Sequence, residues 1–135
     1  MQIKFVGLPV EDQEKALAFY TGVVGLIKAA DIDMGPTRFL TVAGDDGIEG
    51  GQIVLESTDF APKAAYQKAM FAAGAPVLSL NTQDIRADVA RLKARGVKFR
   101  GEPQDLGPIV SVLFEDGCGN LVHLVEAKAR PAPGT

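Results

Sequence analysis

The 135-residue chain predicts an α+β fold made of two tandem βαβββ modules. Three observations predict it. Asp12 precedes the Gly35-Pro36 turn by 23 residues, and Asp84 precedes Gly107-Pro108 by the same 23. Each Asp opens a stretch of helical apolar spacing. The stretch from Val110 to Glu126 reads as two strands around an Asp/Gly-rich turn, EDGCGN. A repeat of this length is a supersecondary unit that buries its apolar face against its twin.

Ile3 to Val10 predicts a strand, with Val6, Leu8 and Val10 alternating against Phe5, Gly7 and Pro9. Asp12 is a helix cap, and Leu17, Tyr20 and Val24 recur on one helical face. This spacing places Tyr20 and Phe19 in the core. Gly22 and Gly25 end the helix. Strands follow over Leu26–Ile32, Arg38–Ala43 and Gln52–Ser57, the last two separated by the loop GDDGIEGG. That loop is not a phosphate loop, because no Lys-Ser/Thr follows and it precedes a strand.

A connecting helix spans about residues 61–74. The second module then repeats the order: a strand over Val77–Thr82, and a helix opened by Asp84 with Ile85, Val89 and Leu92 inward. Strands at Val97–Arg100, Ile109–Phe114 and Leu121–Glu126 complete it. At a shift of 72, Leu40 falls on Val112 and Val42 on Phe114, with the last loop about five residues shorter. One domain therefore covers residues 1–127, as module 1 (about 1–58), the connecting helix and module 2 (about 76–127). Residues 128–135 are expected to form a flexible tail.

The net charge of −3 disfavours nucleic acid and anionic membrane as partners. No apolar run approaches the ~18 residues of a membrane span. A single cysteine forms no internal disulfide, and the expectation is a cytoplasmic protein. Cys118 lies in a Gly-flanked turn with no adjacent base, which favours a structural role. The charges of the second helix look like a solvated face.

The two helix-to-Gly segments, DQEKALAFYTGVVGL and DIRADVARLKARGVKF, and the closing EDGCGNLVHLVE resemble the vicinal oxygen chelate superfamily. This is the glyoxalase, bleomycin-resistance and extradiol-dioxygenase group. The resemblance implies curved mixed sheets closing into a ligand cup, paired across a homodimer. It also implies four metal-site positions, occupied here by Phe5, Glu56, Val77 and His123. Glu56 and His123 are competent groups; Phe5 and Val77 are hydrocarbon. A catalytic zinc takes three protein ligands, and a non-haem iron takes two His and a carboxylate. The chain has one His.

The expectation is thus a cup without cofactor that binds a small organic molecule. Phe5, Val54, Val77, Leu121 and Val125 would line it, with Ser79 and Asn81 nearby. Glu56 and His123 would be its polar or proton-transferring pair. Arg38 could reach an anionic ligand, and Tyr66 could meet ligand from the connecting helix. The alternative is a lyase or dioxygenase that uses Zn, Ni, Mn or Fe held by Glu56 and His123. Strand parity sends Ile53, Leu55, Val122 and Leu124 toward the helices.

Overall fold

Asp12 caps the first helix as its position predicts. Its carboxylate accepts from the Lys15 amide at 3.0 Å. The computed structural model describes residues 1–45, 47 and 50–128. Strand β1 (Phe5–Val10) leads to helix α1 (Gln13–Leu17). The chain then continues as a π-helical segment, Ala18–Val24, which sequence spacing did not foretell. Gly25 stops it with φ 102°, a left-handed backbone that glycine adopts without strain.

β2 (Ile27–Asp33), β3 (Arg38–Ala43) and β4 (Gln52–Ser57) complete the first sheet, in the order β1-β4-β3-β2. β1 and β4 run parallel; the other pairs are antiparallel. Helix α2 (Ala61–Ala72) connects to β5 (Leu78–Asn81). Helix α3 (Ile85–Ala94) is capped by Asp84, whose carboxylate accepts from the Ala87 amide. β6 (Gln104–Asp105), β7 (Ile109–Glu115) and β8 (Leu121–Ala127) give a second sheet, β5-β8-β7-β6.

Two expectations need correction. Val97–Arg100 is not a strand. It touches β7 through a single bridge, Phe99 to Phe114, because Gly101 (φ 94°) and Pro103 turn the chain away; β6 forms further on. The two modules form separate four-stranded mixed sheets, as the tandem α+β reading expects. Lys128, expected in the tail, is anchored: its amide donates to the Pro108 carbonyl and its amine pairs with Asp105. The rest of the expected tail, and Asp46, Ile48 and Glu49 of the Gly-rich loop, lie outside the described residues.

One core serves both modules. Leu8, Val10, Leu40, Val42 and Leu55 from the first sheet meet Val112, Phe114, Val122 and Leu124 from the second, with Tyr20, Ile85, Val89 and Leu92 from the helical segments. The parity assignment holds: Leu55, Val122 and Leu124 are buried, and Ile53 packs against them. Among the described residues no helix is long and apolar enough to cross a membrane.

Candidate functional site

Pairing decides which side chains leave the core. In the parallel pair, Phe5 stands opposite Gln52, Gly7 opposite Val54 and Pro9 opposite Glu56. Thr41 of β3 stands opposite Val54 from the other side. Since neighbours alternate, Phe5, Gly7, Phe39, Val54 and Glu56 share the face turned away from the helices. Phe5 stays 46% exposed and packs edge-on against Phe39, with ring centroids 5.4 Å apart.

Glu56 lies across Gly7. A Cβ at Gly7 would sit 2.1 Å from Glu56 Oε1, so only a glycine there leaves the carboxylate its place. Lys63 of α2 reaches over and donates to Glu56 Oε1 at 2.5 Å. A hollow of about 260 Å³ opens beside this pair, walled by Met34, Phe39, Val54 and Phe60. The Gln13 amide braces its edge, donating to the carbonyls of Arg38 and Leu55. Lys63 and Gly7 escaped sequence reasoning. A lysine on an exposed helix reads as solvated, and a strand glycine signals only close approach, not what approaches.

Arg38 borders the same hollow, but its guanidinium is already engaged. It holds Asp31 with two hydrogen bonds, of 2.7 and 2.8 Å, and also Glu14. Arg38 keeps the Asp31 carboxyl well below the usual carboxylate range, with Lys28 assisting. The cluster ties the β2–β3 hairpin to the first helix.

The second sheet places His123 between Ser79 of β5 and Leu113 of β7. It is half-buried, and its imidazole has no hydrogen-bond partner among the described residues. Asn81 pairs in register with Val125. Leu121 is fully buried and Val125 half-buried. Val77 precedes β5, half-buried against the core, its amide donating to the Leu121 carbonyl. Ser79 and Asn81 border a hollow of about 530 Å³ between the modules, floored by Val42, Ile53 and Phe114. Tyr66, on α2, is 49% exposed and borders neither hollow.

The registers correct the internal alignment. Gly7 and Thr41 flank Val54, and their counterparts 72 residues on, Ser79 and Leu113, flank His123. Leu8 with Leu55 likewise corresponds to Leu80 with Leu124. The last strand is therefore shifted by 69, so the loop is three residues shorter (72 less 69), not five. His123 is the counterpart of Val54, and Glu56 that of Val125. Glu56 and His123 sit on different sheets at non-equivalent levels, and no hollow described here contains both. Among the described residues, no group of three His, Cys, Asp or Glu side chains could hold a metal ion.

The turn that carries Cys118 joins the modules. Asp116 Oδ1 accepts from the amides of Cys118 and Asn120, at 2.7 and 3.0 Å, which is why an Asp opens this turn. Asn120 Nδ2 donates to the Pro9 carbonyl and to Asp116 Oδ2. Gln67 of α2 donates to the Pro9 and Cys118 carbonyls. A Cβ at Gly119 would lie 2.6 Å from Glu11 Oε1 and 2.8 Å from Gln67 Cδ, so a glycine admits this clasp. The Cys118 thiol is 1% exposed, and burial, with Asp116 beside it, pushes it up to about 12. A protonated buried thiol is inert, in keeping with a structural role.

Comparison with known proteins follows the same lines. The Glyoxalase/Bleomycin resistance protein/Dioxygenase superfamily matches residues 2–124. Uncharacterized protein YurT of Bacillus subtilis (strain 168) is 36% identical over 126 residues, covering 93% of this chain and 99% of that protein. The crystal structure of UcmS2 superposes with a TM-score of 0.79 at 30% identity, over 93% of this chain and 97% of that one. TnmS3, an antibiotic binding protein from Streptomyces sp. CB03234, gives 0.77 at 30% identity, over 95% and 97%. With a family match across nearly its whole length and relatives of its own size, the chain belongs to the Glyoxalase/Bleomycin resistance protein/Dioxygenase superfamily.

Proposed function

We propose that the chain binds a small, largely apolar organic molecule on the Phe5–Phe39–Val54 face, with Glu56 and Lys63 as its polar contacts. One observation carries this reading: Phe5, Met34 and Phe60 remain 46–60% exposed on and around a sheet face turned away from the core. Clustered exposed apolar groups of this kind mark a binding surface. In a cytoplasmic homodimer a second copy would cover that face and bring a His123 surface to it. Similarity to TnmS3, described as an antibiotic binding protein, supports a small-molecule ligand, and the rings of Phe5, Phe39 and Phe60 around the face suit one that carries aromatic rings.

The donor set around Glu56 does not fit a divalent cation. Its neighbours are Gly7, Pro9 and Val54, and its charge is met by an ammonium. A cation there would need at least two further donors. The metal-dependent lyase or dioxygenase reading would have to draw those donors from a partner copy.

Thermal unfolding with a panel of aromatic natural-product antibiotics tests the proposal, with and without EDTA. A binder should raise Tm by mass action, insensitively to EDTA, and Phe39→Ala should abolish the rise. No stabilisation by any compound, on a dimer confirmed by light scattering, sinks it. A rise that requires added Zn²⁺, Ni²⁺, Mn²⁺ or Fe²⁺ favours the metal-dependent alternative instead.

A further inference from the structure

A third hollow, of about 400 Å³, lies between the π-helical segment and the chain leaving α3, beside the end of β7. Its floor is apolar: Phe19, Val23 and Val97. Its rim is basic: Lys15, Arg95 and Lys98, all exposed. The two acidic residues of the wall leave the rim net positive, one carboxylate without a cation standing against three cations. Glu115 accepts from Arg100, and Asp116 is buried with both oxygens filled by Tyr20, Cys118 and Asn120. Lys15 and Lys98 have no ion-pair partner among the described residues. Arg95 uses one nitrogen, Nη1, on the Gly22 and Val23 carbonyls.

From this geometry we infer a binding site for a small organic anion, a carboxylate carried on an apolar body. The body would lie on Phe19, Val23 and Val97, and the carboxylate would meet Lys15, Lys98 and the free edge of Arg95. Two arguments support it. The volume lies in the range of small-molecule sites, and an apolar floor with a few convergent charged groups is their usual anatomy. The wall is also formed by the π-helical segment, Ala18–Val24, a geometry that is rare because it packs less well than an α-helix and that recurs at functional sites. The site is independent of the sheet-face reading, since it shares no lining residue with the Phe39 hollow.

Titration of ¹⁵N-labelled protein with octanoate tests it, with octan-1-ol as the uncharged control. Octanoate should give saturable amide shifts at Phe19, Val23, Gly96 and Lys98, weaker in high salt as exposed charges are screened. Octan-1-ol should bind at least about tenfold more weakly, and the double variant Lys15→Gln/Lys98→Gln should lose about tenfold in affinity at unchanged Tm. Lys98→Gln alone should lose about threefold, which keeps the test open should the double variant misfold. Absence of saturation at millimolar octanoate overturns the inference. Equal binding of octan-1-ol, shifts confined to Phe39, Val54 and Glu56, or unchanged affinity in both variants overturns it too.

Discussion

The hydroxyl of Tyr20 donates to Oδ2 of Asp116 at 2.6 Å, in a bond that is buried and joins the first module's helix to the second module's turn. Burial, with Asp116 adding to it, holds the Tyr20 phenol well above its ordinary value, so the proton stays on the tyrosine. Tyr20→Phe removes one of the four donors to a carboxylate that has no counter-cation within the turn. The expected cost is about 2 kcal/mol, as for a hydrogen bond to a charged group. Urea unfolding of the variant measures it; a loss below about 0.5 kcal/mol would show that the bond is replaced by water.

Asn120→Ala should cost more, about 3 kcal/mol, because it strips a donor from both the Pro9 carbonyl and Asp116 in a buried site. The same substitution should loosen the modules from each other. Hydrogen exchange would report it as faster exchange at Glu11, whose amide donates to the Cys118 carbonyl across the junction. Uniform protection loss, with no emphasis on the junction, would contradict this.

Alkaline pH should destabilise the fold from about pH 9 upward. The folded protein keeps the Cys118 thiol protonated up to about 12, against 9.0 for the exposed group, and holds Tyr20 likewise above 10.0. Between those values the unfolded chain has released protons that the folded chain retains. Stability is therefore complete below the unfolded value and falls as pH rises toward the folded one. Urea midpoints from pH 8 to 11 should decline, and Cys118→Ala should flatten the part of the decline that begins near pH 9. An identical slope in the variant would assign the effect elsewhere.

Gly7→Ala should leave stability within about 1 kcal/mol, since the backbone there is ordinary extended strand and the obstructing atom is the end of a flexible side chain. The new methyl would displace Glu56 and release Lys63. A ligand of the Phe39 hollow should then bind more weakly in Gly7→Ala at nearly unchanged Tm. A large drop in Tm with unchanged affinity would mean that Glu56 matters to folding and not to the site.

Legibility in the sequence followed the range of the interactions. Asp12 and Asp84 announced both helices because a cap is satisfied within three residues. Leu55, Val122 and Leu124 announced the core because strand parity is local. Val97–Arg100 read as a strand on apolar content, yet the ladder there ends at Gly101 for a reason no periodicity records. The π-helical segment kept the helical spacing of Leu17, Tyr20 and Val24 and so stayed hidden. Equating Glu56 with His123 requires a loop length that periodicity does not supply, and only cross-strand partners reveal that Val54 holds the equivalent place. Lys63 was invisible because its partner lies on another element.

The offset between the two sheets has a further consequence. Halves that repeat each other in strand order have slipped out of step at their working surfaces, with an acid two residues further along one strand than the imidazole on the other. A guest spanning both walls, with a second copy closing the face as proposed, would meet two unlike groups at two heights. Such a scaffold would distinguish one end of a molecule from the other, although its own architecture is a copy laid beside a copy.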